Sequence, residues 1–180
     1  EMANKTVGIL GMGNIGQKVV RRLQGFDVTL QYFDTYPLTR EKEQELRVQR
    51  VSLEELFRNS DIITCHTPLT PETRHVVNQK SLDLMKTTAI LINTSRGSIV
   101  DEAALVTALQ EGRIAGAGLD VFETEPADKG NPLLAMDNVV FTAHNAGTTF
   151  DTWCRRAEFS YRNMQRVLEG RLPQAIAQEY

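Results

Sequence analysis

Short apolar runs recur along the chain at 6–10, 28–33, 48–51, 61–66, 89–93, 116–121 and 139–142. They are rich in Val, Ile and Leu and mostly continuous rather than alternating, the pattern of strands buried on both faces of a parallel sheet. Between them lie stretches with helical spacing. Residues 17–23 read as a helix, and 53–57 as a short one behind the capping box Ser52/Glu55. A third spans 79–85. A fourth runs from the cap Asp101 to Leu109, with Gly112 where a C-terminal glycine belongs. The polar stretch 38–45 reads as loop or short helix. From 150 to 170 the pattern becomes one long helix, with Trp153, Ala157, Tyr161, Met164 and Leu168 in an apolar stripe. Strands alternating with helices predict an α/β fold: a doubly wound parallel sheet of about seven strands in a single domain.

The first run leads straight into Gly11-Met12-Gly13-Asn14-Ile15-Gly16 and then a helix. Strand, glycine turn and helix are the parts of a dinucleotide site. Gly11 permits the sharp turn, Gly13 lets backbone approach a pyrophosphate, and Gly16 lets helix and strand pack closely. The helix N-terminus adds free N–H groups and the positive end of its dipole. The second run ends in Asp34, in register to accept hydrogen bonds from the ribose hydroxyls of NAD and to repel the extra phosphate of NADP. Asp34 alone would also suit a turn before Pro37. Together these features predict a Rossmann-type fold.

Composition narrows the class. The chain has 180 residues, 41% hydrophobic and 24% charged, with a net charge of −3. That suits a globular protein and gives no reason to expect a nucleic-acid or membrane partner. Arg155, Arg156, Arg162 and Arg166 lie mainly off the stripe of the last helix and read as a solvated face, diluted by Glu158 and Glu169. Cys65 and Cys154 are far apart and read as reduced thiols of a cytoplasmic protein. No cluster of His, Cys, Asp and Glu has metal-ligand spacing, so no metal is expected. The chain opens Glu1-Met2 with a strand close behind, which reads as a piece of something longer.

Ligands of such sheets sit beyond the carboxyl ends of the strands. The suggestive polar residues all follow strand ends: Asp34, Thr67, Thr94 to Arg96, Asp120 and His144. Arg96 could hold a carboxylate through two parallel hydrogen bonds, or be an ordinary loop arginine. If the turns after the sixth and seventh strands share a rim, Glu125 could orient His144 and favour its protonated form. His144 would then exchange a proton with a substrate hydroxyl. Equally, Glu123 and Glu125 could form a solvated acidic turn, and His144 could cap a helix. His66 reads as lining the cofactor groove, and His75 as an exposed histidine without context.

The chain resembles the NAD-binding domain of the D-isomer-specific 2-hydroxyacid dehydrogenases. The likeness runs from about Lys5 to Leu172. It rests on the glycine motif, His66-Thr67-Pro68-Leu69-Thr70-Pro71-Glu72-Thr73, and Asn93-Thr94-Ser95-Arg96-Gly97. It continues with Gly118-Leu119-Asp120-Val121-Phe122, Glu125-Pro126 and His144-Asn145-Ala146-Gly147. The resemblance implies catalytic Arg96, Glu125 and His144. It implies a cofactor site of Gly11, Gly13, Asn14, Ile15, Gly16, Asp34, Thr67, Pro68, Thr94, Asp120 and Gly147. The activity implied is hydride transfer between nicotinamide and a small 2-hydroxy or 2-oxo acid, in a homodimer. The alternative is a non-enzymatic NAD-sensing scaffold of the same superfamily, whose members keep the same triad.

Ala143 departs from the family's usual proline. The substrate domain, which that family builds mainly from residues ahead of the glycine motif, is absent here. The expected organisation is therefore an NAD-binding domain over 1–149 and a helix and tail over 150–180 that would return to a missing substrate domain. Alone, this piece is expected to bind NAD but to catalyse poorly. The residues leave open which 2-hydroxy acid is used.

Overall fold

The structure, a computed structural model, describes residues 1–175. The chain divides into two compact units, Glu1–His144 and Asn145–Tyr180. The first is built on seven parallel strands: β1 Thr6–Leu10, β2 Thr29–Phe33, β3 Gln49–Arg50, β4 Ile62–Cys65, β5 Ile90–Asn93, β6 Gly116–Leu119 and β7 Val139–Phe141. Their order is β3-β2-β1-β4-β5-β6-β7. The strand order therefore reverses between β1 and β4, where a crevice opens at the carboxyl ends.

The helices of this unit are α1 Asn14–Leu23, α2 Arg40–Leu46, α3 Leu53–Asn59, α4 Gln79–Leu82 and α5 Glu102–Gln110. Local chemistry sets their ends. Ser52 and Glu55 form the expected capping box of α3, and Asp101 accepts from the Ala104 N–H at 3.0 Å to cap α5. Gly112, just past α5, takes the left-handed conformation with φ 66°. The stretch 38–45 resolves into loop and helix: Thr39 caps α2, and Arg47 ends it in the left-handed conformation. Helix α4 stops earlier than its pattern predicts. The N–H groups of Leu84 and Met85 turn back to Ser81 and Leu82, three residues behind, which tightens and closes the helix.

Core side chains lie on both faces of the sheet. Val7 and Ile9 of β1 join Val20, Leu30, Tyr32 and Leu46 in one cluster, while Leu10 joins Leu56, Ile63, Leu91 and Leu105 in the other. Residues alternate faces along a strand, so β1 needs apolar residues on each. Each such side chain, fully withdrawn from water, contributes about 1.5–3 kcal/mol.

The second unit contains α6, Phe150–Leu168, capped by Thr149. None of its residues is buried. Trp153, Tyr161, Met164 and Leu168 of the expected stripe are all exposed. Among the described residues, no helix is long and apolar enough to cross a membrane.

Candidate active site at the sheet's carboxyl edge

The turn after β1 is shaped by three glycines in three different ways. Gly11 has φ 97°, and a Cβ there would stand 2.7 Å from the Thr67 backbone nitrogen. Gly16 lies under the turn, where a Cβ would meet the Gly11 carbonyl oxygen at 2.2 Å. A Cβ on Gly13 would meet no atom within 4 Å. Packing thus explains the first and third glycines. The second borders open space at the start of α1, where no side chain caps the helix. Exposed backbone and uncapped N–H groups at a helix N-terminus form a cradle for an anion. Asn14 and Ile15 occupy this first turn, exposed.

Asp34, at the end of β2, is tied to the cradle. One carboxylate oxygen accepts from the Met12 N–H at 2.6 Å and the other from the Tyr36 N–H at 2.8 Å. A carboxylate has about four acceptor sites, so two remain for further donors. Across the crevice, the hydroxyl of Thr67 is buried without a hydrogen-bond partner among the described residues. Such an orphaned group beside an open cradle fits a ligand atom. Pro68 is exposed next to it, its carbonyl accepting from the Thr73 hydroxyl at 2.7 Å. His66 contacts Thr64 Oγ1 through Nε2 at 3.0 Å, and burial pushes its imidazole down to about 4, so it is neutral at physiological pH. Glycine turn, Asp34 and Thr67 together fit a dinucleotide.

The other sequence-predicted residues leave the sheet on neighbouring strands. Asn93 pairs in register with Leu119 and Leu119 with Phe141, so the turns after β5, β6 and β7 share one edge. Backbone bonds link them further. Asp120 N–H donates to the Asn93 carbonyl at 3.0 Å, and His144 N–H to the Asp120 carbonyl at 2.8 Å. Thr94 and Arg96 are exposed, and Arg96 donates to the Ser95 carbonyl at 2.7 Å. Asp120 is buried, its carboxylate accepting from the Thr142 hydroxyl at 2.5 Å.

Glu125 and His144 meet, with Nδ1 to Oε2 at 2.7 Å. Glu125 also accepts from the Phe122 N–H at 3.1 Å. The hydrogen bond with His144, aided by that of Phe122, holds its carboxyl below the usual range against the opposing effect of burial. A carboxylate on Nδ1 orients the ring and selects the tautomer protonated at that nitrogen. His144 has φ 52° and half its side chain exposed. Gly147 is exposed and belongs to the second unit.

Two sets of residues escaped the sequence reading. Asn93 is buried: its Oδ1 accepts from Ser95 N–H and hydroxyl at 3.0 and 2.8 Å, and its amide donates to the Arg96 carbonyl at 2.9 Å. It shapes the turn that carries Thr94 and Arg96. An Asn closing an apolar strand is the available signal for such a turn. The second set is His75 and Glu123. His75 is not a histidine without context: its Nε2 pairs with Glu123, and its side chain is 34% exposed. Glu123 is 48 positions away, so no local pattern could show the pair.

Comparison with known proteins now places the chain. Residues 1–146 match the family model of the D-isomer specific 2-hydroxyacid dehydrogenase, NAD binding domain. The chain belongs to this family, whose cofactor is NAD. It is 47% identical over 174 residues to a glyoxylate reductase of Korarchaeum cryptofilum, covering 96% of this chain and 52% of that protein. It is 40% identical over 177 residues to a D-3-phosphoglycerate dehydrogenase of Methanocaldococcus jannaschii, covering 98% and 33%. Among solved structures, the apo form of D-lactate dehydrogenase from Escherichia coli superposes with a TM-score of 0.88 at 38% identity, covering 96% of this chain and 54% of that one. The chain spans about half the length of the glyoxylate reductases it matches.

Proposed function

We propose that this segment is the coenzyme-binding part of an NAD-dependent 2-oxo acid reductase, acting on a small 2-oxo acid such as glyoxylate. The observation that carries the reading is the Glu125–His144 pair, placed on the same carboxyl edge as the glycine cradle. The names of the relatives agree with it: glyoxylate reductases at up to 47% identity and a D-lactate dehydrogenase structure.

In this reading Gly11, Gly13, Asn14, Ile15 and Gly16 receive the pyrophosphate and Asp34 the adenosine ribose. Thr67, Pro68, Thr94 and Asp120 line the rest of the cofactor. When bound, the reduced cofactor supplies the two electrons and the hydrogen that reduce the carbonyl carbon. Arg96 holds the substrate carboxylate by paired hydrogen bonds and polarises the neighbouring carbonyl. His144 gives its proton to the carbonyl oxygen, which becomes the hydroxyl of a 2-hydroxy acid. Glu125 keeps the ring oriented and compensates its positive charge. A homodimer is part of the same reading.

The test is turnover of NADH with a panel of 2-oxo acids by the full-length protein that carries this segment, alongside Arg96→Ala and His144→Ala. Both variants are expected to lose turnover while still binding NAD. Normal turnover in both would overturn the assignment. An intact protein that binds NAD but reduces no 2-oxo acid would favour the scaffold instead.

A further inference from the structure

The candidate site takes Arg96 from the turn after β5 and Glu125 from the loop after β6. What fixes these segments relative to each other is visible in three contacts. The first is Gly97: a Cβ there would overlap the Phe122 carbonyl, at 1.9 Å, so the two segments touch through bare backbone. The second is His75, in the segment after β4. Its N–H donates to the Ser98 carbonyl at 2.8 Å, its carbonyl accepts from the Asn78 amide at 2.9 Å, and its imidazole pairs with the Glu123 carboxylate. The third is Glu102 at the start of α5. One of its carboxylate oxygens accepts from the Glu123 N–H, and the other from the Asn131 amide at 2.9 Å.

His75 therefore bridges the two segments, by main chain to the one bearing Arg96 and by side chain to the one bearing Glu125. It holds φ 51°, a left-handed conformation that costs a non-glycine residue energy and that the surrounding contacts must impose. Glu123 is gripped on both sides of its own backbone, by His75 through its carboxylate and by Glu102 through its N–H. Two residues further on stands Glu125, the partner of His144.

We infer that His75 and Glu123 are positioning residues, a strut that sets Arg96 and the Glu125–His144 pair at their working separation without touching substrate or cofactor. The inference rests on the function proposed above for those three residues. The glycine cradle and Asp34 lie at the ends of β1 and β2, whereas His75 follows β4 and Glu123 follows β6. Loss of the strut should therefore act on the 2-oxo acid and spare the cofactor.

Asn tolerates φ above zero but is too short to reach Glu123, so His75→Asn removes the pair while keeping the backbone. In the full-length protein this variant is expected to lose about 10- to 100-fold in kcat/KM for glyoxylate, the cost of a small misplacement of reacting groups. The NADH dissociation constant should change by less than about twofold, since uninvolved sites behave independently. Glu123→Ala should match it, Glu123→Gln, which keeps an acceptor oxygen, should recover most of the rate, and the double variant His75→Asn/Glu123→Ala should be no worse than either single one.

Equal losses for glyoxylate and NADH would show a merely structural role and overturn the inference, as would unchanged kcat/KM. Amide hydrogen exchange reads the strut without turnover: the Glu123 N–H should exchange faster in His75→Asn than in the parent. Unchanged exchange there overturns the strut itself. Unaffected turnover in Arg96→Ala and His144→Ala overturns the functional reading, so the two failures are distinguishable.

Discussion

His66 offers a quantitative test of the crevice between β1 and β4. Its imidazole sits at about 4 in the fold against an ordinary 6.5, because burial disfavours the charged form. As pH falls, the unfolded chain takes up a proton at His66 that the folded chain refuses. The contribution is complete above 6.5 and declines as pH drops, until it is lost below about 4. From about pH 8 to about pH 5 the linked loss is about 2 kcal/mol. His66→Gln removes the titration and keeps an amide that can reach Thr64. Urea unfolding of both proteins at the two pH values gives the comparison, and the other imidazoles, present in each, cancel. Far-ultraviolet circular dichroism is the proper probe: the single tryptophan, Trp153, lies in α6 and reports the second unit. Parent and variant losing the same stability within about 0.5 kcal/mol would show that His66 is not held neutral by burial.

The glycines make a paired test: Gly16→Ala should cost about 2–3 kcal/mol of stability by overlap with the Gly11 carbonyl. Gly13→Ala should leave the unfolding midpoint within a few degrees and instead weaken NAD binding, read by calorimetry; normal NAD affinity would show that the open space beside Gly13 is not the cradle. The protein should bind NAD at least about tenfold more tightly than NADP through the charge of Asp34, and Asp34→Ser should narrow that ratio, whereas equal affinities in the parent would contradict the ribose assignment. Glu125→Gln should lower kcat by about 100-fold with little change in NADH affinity, measured by steady-state kinetics and fluorescence titration.

What the sequence disclosed was whatever is encoded over a few neighbouring positions. The glycine turn, the Ser52/Glu55 box, the Asp101 cap and the left-handed Gly112 each need only adjacent residues, and the structure contains all four. The buried parallel strands were legible because continuous apolar runs have few other uses. Helix α2 was ambiguous because Arg40–Leu46 is almost wholly charged or polar, leaving no stripe to read. Helix α4 was overextended because its closing bonds leave no mark on apolar spacing. The unread parts of the edge are pairings across the chain: Thr142 with Asp120, separated by 22 positions, and His75 with Glu123, separated by 48. Local patterns carry no information about such partners until the strand order is known.

The central place of β1 has a consequence for how the domain is assembled during synthesis. Of the strands described, β1 leaves the ribosome first, yet its second neighbour, β4, follows 55 positions later, where Asp61 accepts from the Thr6 N–H at 2.8 Å. At about 5–20 residues per second, that interval lasts about 3–11 seconds, with one edge of an apolar strand unpaired throughout. Thr67, whose backbone packs against Gly11, is delivered only after β4. The Gly11 turn is therefore fully walled only once the middle of the domain has been made.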